Sequence, residues 1–356
     1  IPRGPHRGKV LVWDVRGDQP TPAWVQRWSI LDVSAPTPAF LNAELELPLD
    51  GGDFFCGGHA WTSAGELLVA GGTTRYFGEG LAFHGGILGG RLVYLWDPTT
   101  GPLGLWKRQP DLSADRWYPT VVETATGEML IAGGTAGAER QPFNDYEVFS
   151  PGQQDRRTRP ALGRPLFPGP PTPASPFDLY PRLLQLASGG QFVAGMGGAS
   201  ARMDHAQAPG QWTFTDAGSV PFRNYVCSVL VPTRPGAPEL VMAIGGEGFD
   251  DAGSLGVLDS VEVCEPSAAA APAWNWRHAP RLNQARARAN ALVLPDRGVL
   301  VIGGSTTPGG GPEIFAESPE LFDGTSWRTL AHAACSRSYH STAVLLPDGR
   351  VLTGGG

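Results

Sequence analysis

The chain has 356 residues, of which 17% are charged, while 49 Gly and 34 Pro together exceed a fifth of the total. Such a composition favours many tight turns over long helices. A net charge of −7 offers no basic stripe for a phosphate backbone, no run of 18 apolar residues is present to cross a bilayer, and the four cysteines form no C-x-x-C pair.

In chain order, KVLVWDV (9–15) opens a series of apolar runs. Six further runs end in Gly-Gly: LLVAGG (67–72), MLIAGG (129–134), FVAGMGG (192–198), LVMAIGG (240–246), VLVIGG (299–304) and VLTGGG (351–356). The glycine pairs recur every 48 to 64 residues. A second apolar strand and a turn precede each run, plainly in STAVLLPDGRVLTGG. An aromatic strand and a Trp-bearing strand follow, as in LVYLWDP then LWKR, and PELFDG then SWRTL. Glycine pairs in phase with hairpins predict an all-β chain, a seven-bladed kelch-type β-propeller forming a single domain over 1–356. The last blade is expected to be incomplete, because its outer strands do not follow before Gly356. The Pro-rich stretch 151–178 reads as a long loop between blades. A β-sandwich would show shorter, more regular spacing and gives no reason for the repeated Trp.

Counting nine residues back from the hairpin glycine gives Cys56 from Gly65, Tyr118 from Gly127 and His340 from Gly349, with Tyr339 beside it. Innermost propeller strands run alike, so equivalent positions are expected to meet at one rim of the channel. Alone, a strand Cys is a small buried hydrophobe and a strand Tyr is packing. Together they form a chemical set. Copper(II) accepts imidazole and phenolate ligands, and Tyr339-His340 supplies both if the strand end is distorted, since alternation otherwise sends neighbours to opposite faces.

Three segments, FFCGGHAW (54–61), DRWYPT (115–120) and SRSYHSTAVLLPDGRV (336–351), resemble the galactose oxidase and glyoxal oxidase family of copper-radical oxidases, and RWYP is closer to the glyoxal oxidase branch. The resemblance covers nearly the whole chain. It implies a thioether between Cys56 and Tyr118, with Tyr118 as copper ligand and radical site, Tyr339 as axial tyrosinate and proton acceptor, and His340 as a further ligand. It also implies a secreted or extracellular enzyme that oxidises small aldehydes (as hydrates) or primary alcohols with O2, yielding H2O2. In the family the second histidine ligand comes from a C-terminal β-sandwich domain, which is expected to lie beyond this chain. His59, His84, His205 and His332 lie off the shared register. Arg182 in LYPRLLQ is read as lying within one residue of that register and resembles the substrate-contacting arginine of galactose oxidase. Thr135-Ala136 stands where the family's shielding aromatic is found, so the resemblance assigns no shield. The alternative from another class is a non-catalytic kelch propeller that binds a protein or glycan, with Cys56 and Tyr118 unlinked. Such a module has no reason to assemble a thiol, two phenols and an imidazole in one register.

Overall fold

The computed structural model describes residues 1–14, 24–49, 51–75, 88–137, 143, 145–151, 157–158, 179–194, 199–205, 212–219, 223–232, 238–250, 252–266, 276–309 and 312–356. Most of the Pro-rich stretch (152–156 and 159–178) and the glycine pair at 197 and 198 lie outside the described residues. All regular structure among the described residues is β-strand, with no helix. The chain divides into two compact units, Ile1–Pro171 with Phe177–Pro181 and His205–Gln211, and Thr172–Pro176 with Arg182–Asp204 and Trp212–Gly356.

In the first unit, Val10–Asp14, Trp24–Asp32 and Leu45–Leu49 form one sheet with the short strand Ala39–Phe40. A second sheet joins Asp53–Trp61, Leu67–Arg75, Val93–Asp97 and Leu105–Arg108, with Leu88–Gly89 beside it. The third orders Thr120–Glu123, Met129–Ala132, Tyr146–Phe149 and Arg157–Thr158. In the second unit the same meander recurs in Arg182–Gln185 to Trp212–Ser219, in Cys227–Val231 to Arg277–Ala279, and in Asn290–Val293 to Trp327–Thr329. Thr342–Leu345 pairs with Val351–Gly354, and Arg223–Asn224 joins the hairpin Glu247–Phe249 and Leu255–Val257 in a small side sheet.

The glycine-terminated runs form the second strand of their sheets. Leu67–Ala70, Met129–Ala132 and Val299–Val301 are buried throughout. Burial on both faces is why these runs are continuously apolar instead of alternating. The glycines that end them have a steric task. Gly134 has φ 76°, and a Cβ there would lie 2.7 Å from the Trp117 carbonyl oxygen and 2.9 Å from Pro119 N. Only glycine lets this strand leave past the backbone that carries Tyr118.

Sequence reading did not find the second repeated device, a buried arginine two residues ahead of the register position. Arg116, Arg223 and Arg286 are at most 1% exposed and face the equally buried Glu147, Glu262 and Glu320, each on the third strand of the sheet that follows the arginine in the chain. Arg116 donates to the Gly133 carbonyl at 2.6 Å, to Asp145 at 2.6 Å and to Glu147 at 3.3 Å. Arg286 reaches Glu320 at 2.7 Å. A buried guanidinium needs this many acceptors, and the acceptors fix the backbone that follows it.

Candidate functional site

Among the described residues, one repeated position carries left-handed non-glycine backbone: Cys56 (φ 63°), Tyr118 (62°), Tyr180 (49°), Tyr225 (52°), Arg288 (59°) and His340 (64°). Bulky residues rarely adopt this region, and such strain gathers at functional sites. Nine residues beyond Cys56, Tyr118, Tyr180, Arg288 and His340 come the left-handed hairpin turns at Gly65, Gly127, Gly189, Arg297 and Gly349. The register thus extends to Tyr180, Tyr225 and Arg288, which sequence reading missed. Counting back from Gly189 points to Tyr180 directly, whereas Arg288 is hidden because its turn residue is Arg297 in place of glycine.

Arg182 requires a correction of register. It begins the strand Arg182–Gln185, two residues past the shared position, and its Nε donates to the Val226 carbonyl at 3.1 Å.

Backbone hydrogen bonds tie register residues in series. Tyr118 N–H donates to the Cys56 carbonyl at 2.8 Å, and Tyr180 N–H donates to the Tyr118 carbonyl at 2.7 Å. In the second unit, Arg288 N–H donates to the Tyr225 carbonyl at 3.2 Å. This stitching packs the Cys56 thiol beside the Tyr118 side chain. Cys56, Trp117 and Tyr118 form one buried cluster with Phe55, Leu179 and Tyr180 packed on it. Burial pushes the Cys56 thiol up to about 12, so it remains a protonated thiol at neutral pH.

The Tyr118 ring is covered on two sides. Trp117 stacks at 3.8 Å between centroids and 15° between planes, and Tyr180 at 4.5 Å and 20°. Sequence neighbours stack here because the left-handed turn at Tyr118 breaks strand alternation. Trp117 is pinned by reciprocal backbone bonds with Thr135 at 2.7 and 2.9 Å, and the preceding Arg116 is locked in its buried acceptors.

The second unit carries Tyr339 and His340 in the turn ahead of Thr342–Leu345, their ring centroids 3.9 Å apart. The expected strand-end distortion is therefore present. Tyr339 is 41% exposed, and the Tyr225 ring meets it edge-on at 5.8 Å. Packing strips water from the otherwise accessible His340 ring and lowers its pKa, which leaves the imidazole neutral with a lone pair for a metal.

The other histidines make different contacts. His59 is exposed, with Trp13 edge-on at 4.9 Å. His332 is exposed, with Nδ1 3.3 Å from Glu317. His84 and the His205 side chain lie outside the described residues. No disulfide forms among the four cysteines: Cys227 and Cys264 are buried and Cys335 is exposed. Burial raises the Cys227 and Cys264 thiols to about 11.

The glyoxal oxidase N-terminus profile matches residues 52–356. The chain belongs to that family. Among curated glyoxal oxidase-like relatives, it is 26% identical over 321 residues to an aldehyde oxidase of Arabidopsis thaliana, covering 83% of this chain and 48% of that protein. It is 24% identical to a galactose oxidase of Gibberella zeae, covering 99% of this chain and 49% of that protein. The chain thus spans about half the length of these relatives. A fungal alcohol oxidase solved in complex with copper shares its fold, with a TM-score of 0.74 at 20% identity over 98% of this chain and 68% of that one.

The donor set fits the metal expected for a glyoxal oxidase relative. No group of three His, Cys, Asp or Glu side chains suited to a metal ion exists among the described residues. What the register supplies instead is phenol and neutral imidazole, the donors that copper(II) accepts.

Proposed function

We propose that this chain carries the redox side chains of a secreted copper-radical oxidase. It would convert small aldehydes, as hydrates, or primary alcohols with dioxygen: RCH2OH + O2 gives RCHO + H2O2. The observation that carries this reading is the buried Cys56 thiol packed in one cluster with Tyr118, whose ring is covered by Trp117 and Tyr180, in a chain of this family. The sheets are taken as the blades of a seven-bladed kelch-type propeller, and a C-terminal β-sandwich domain is taken to supply a second histidine.

In this reading Tyr118, Tyr339 and His340 hold copper, and a thioether joins Cys56 Sγ to the Tyr118 ring. Copper(II), when bound, supplies one of the two one-electron acceptors that the oxidation requires. Tyr339 Oη takes the substrate hydroxyl proton, and oxidised Tyr118 takes the hydrogen atom from carbon. Trp117 and Tyr180 keep water from the Tyr118 ring, which prolongs the life of its oxidised form. Arg182 contacts a substrate oxygen.

Intact mass and thiol counting test the cross-link. Aerobic copper loading of the full-length protein should remove two hydrogens and lower the number of alkylatable thiols in the denatured chain by one, an effect abolished in Tyr118→Phe. An unchanged mass and thiol count would refute the radical cofactor. Peroxide release with glyoxal, methylglyoxal, galactose and simple alcohols then identifies the substrate class.

A further inference from the structure

Arg288 occupies the same strained register position as Cys56, Tyr118 and His340, yet the oxidase reading gives it no part. Its side chain is only 8% exposed. Its guanidinium reaches Glu247 at 2.5 Å and Glu313 at 3.2 Å, and lies 4.6 Å from the centroid of the Tyr225 ring. Gly309 closes over it, since a Cβ there would lie 2.7 Å from Nη2, and Gly309 N–H donates to the same Glu247 oxygen at 3.1 Å.

Two arms run from this guanidinium to the pair Tyr339 and His340. In the first, Arg288 holds Tyr225 by its ring face and by the backbone bond to its carbonyl, and Tyr225 sets its edge against Tyr339 at 83° between planes. In the second, the Glu313 oxygen that meets Arg288 also accepts from the Ser338 hydroxyl at 2.9 Å. Ser338 is 2% exposed and begins the turn that carries Tyr339 and His340, closed by Ser341 N–H donating to the Ser338 carbonyl at 3.0 Å. One arginine therefore orients the ring beside Tyr339 and the start of the turn beneath it. A lysine offers a point charge, which cannot span two carboxylates and a ring in this way.

We propose that Arg288 is a positioning residue that fixes the Tyr339-His340 turn for metal binding, through Tyr225 on one side and Glu313 with Ser338 on the other. This rests on the reading of Tyr339 and His340 as copper ligands. The sign of the effect separates positioning from charge. Removing a cation beside a metal site should tighten copper(II) binding by electrostatics alone, whereas losing groups that orient ligands weakens it, commonly about 10- to 100-fold.

Copper(II) affinity of the full-length protein is measured by competition with nitrilotriacetate, with the copper hyperfine pattern read by electron paramagnetic resonance. The Tyr339→Phe variant should bind copper more weakly, and unchanged binding would bring down the ligand reading and this proposal with it. Given that loss, Arg288→Met and Arg288→Lys should each weaken binding about tenfold or more, and Ser338→Ala should weaken it in the same direction. In the Tyr339→Phe background, Arg288→Met should add less than it does alone, because it acts through the same turn. Wild-type or tighter binding in Arg288→Met, full retention in Arg288→Lys, or complete additivity would overturn positioning while leaving the ligand reading standing. Should both Arg288 variants fail to fold, Ser338→Ala decides alone, with unchanged affinity counting against the proposal.

Discussion

Replacing Arg116 by Met is expected to destabilise the first unit severely and to loosen the Tyr118 site. Methionine fills much of the volume but removes the guanidinium bonds to Gly133, Asp145 and Glu147. Glu147, whose side chain is 1% exposed, is then left with the Ser113 N–H at 2.9 Å as its remaining described contact. Removing one partner of a buried ion pair strands the other charge and costs about 3 to 5 kcal/mol. Replacing both partners with apolar residues of similar volume is often neutral or better, so Arg116→Met with Glu147→Met should recover most of the loss. Urea unfolding followed by tryptophan fluorescence measures both. Because Arg116 leads directly into Trp117 and Tyr118, the single variant should also make Cys56 reactive to alkylation in the native protein. A single-variant loss under about 1 kcal/mol, or a double variant no more stable than the single, would refute the account of the buried arginines.

Three further outcomes are expected. Gly134→Ala should cost more than about 1 kcal/mol, because its Cβ meets the Trp117 carbonyl at 2.7 Å on a backbone with φ 76°; an unchanged urea midpoint would refute the steric reading. Tyr180→Leu, which removes one stacked face of Tyr118, should cost about 0.5 to 1.5 kcal/mol beyond the loss of buried area and alter the near-ultraviolet circular dichroism of the aromatic cluster. Native alkylation at pH 8 should label the exposed Cys335 while the buried Cys56, Cys227 and Cys264 are protected. The folded Cys56 value of about 12 lies above its ordinary 9.0, so its stabilising effect is complete below pH 9 and is lost as pH rises towards 12. Urea midpoints of the wild type and Cys56→Ala, compared from pH 8 to 11, should therefore converge on the alkaline side.

Periodicity alone was enough to read the β class, the hairpins and the register shared by Cys56, Tyr118 and His340, because a glycine needed for a left-handed turn marks each hairpin in the sequence. The three motifs made the family legible as well. Tertiary structure decided which further side chains stand in that register, and how. Tyr180 became the second face of the Tyr118 stack through a backbone bond between residues 62 apart. Arg288 emerged because folding, not a glycine, imposes the left-handed turn at Arg297. The pairing of Arg116 with Glu147 and of Arg286 with Glu320 was likewise invisible, since charged residues in sequence usually signify solvent. Local pattern records what each strand needs for itself, whereas burial of charge and stacking of rings depend on which distant segments folding brings together.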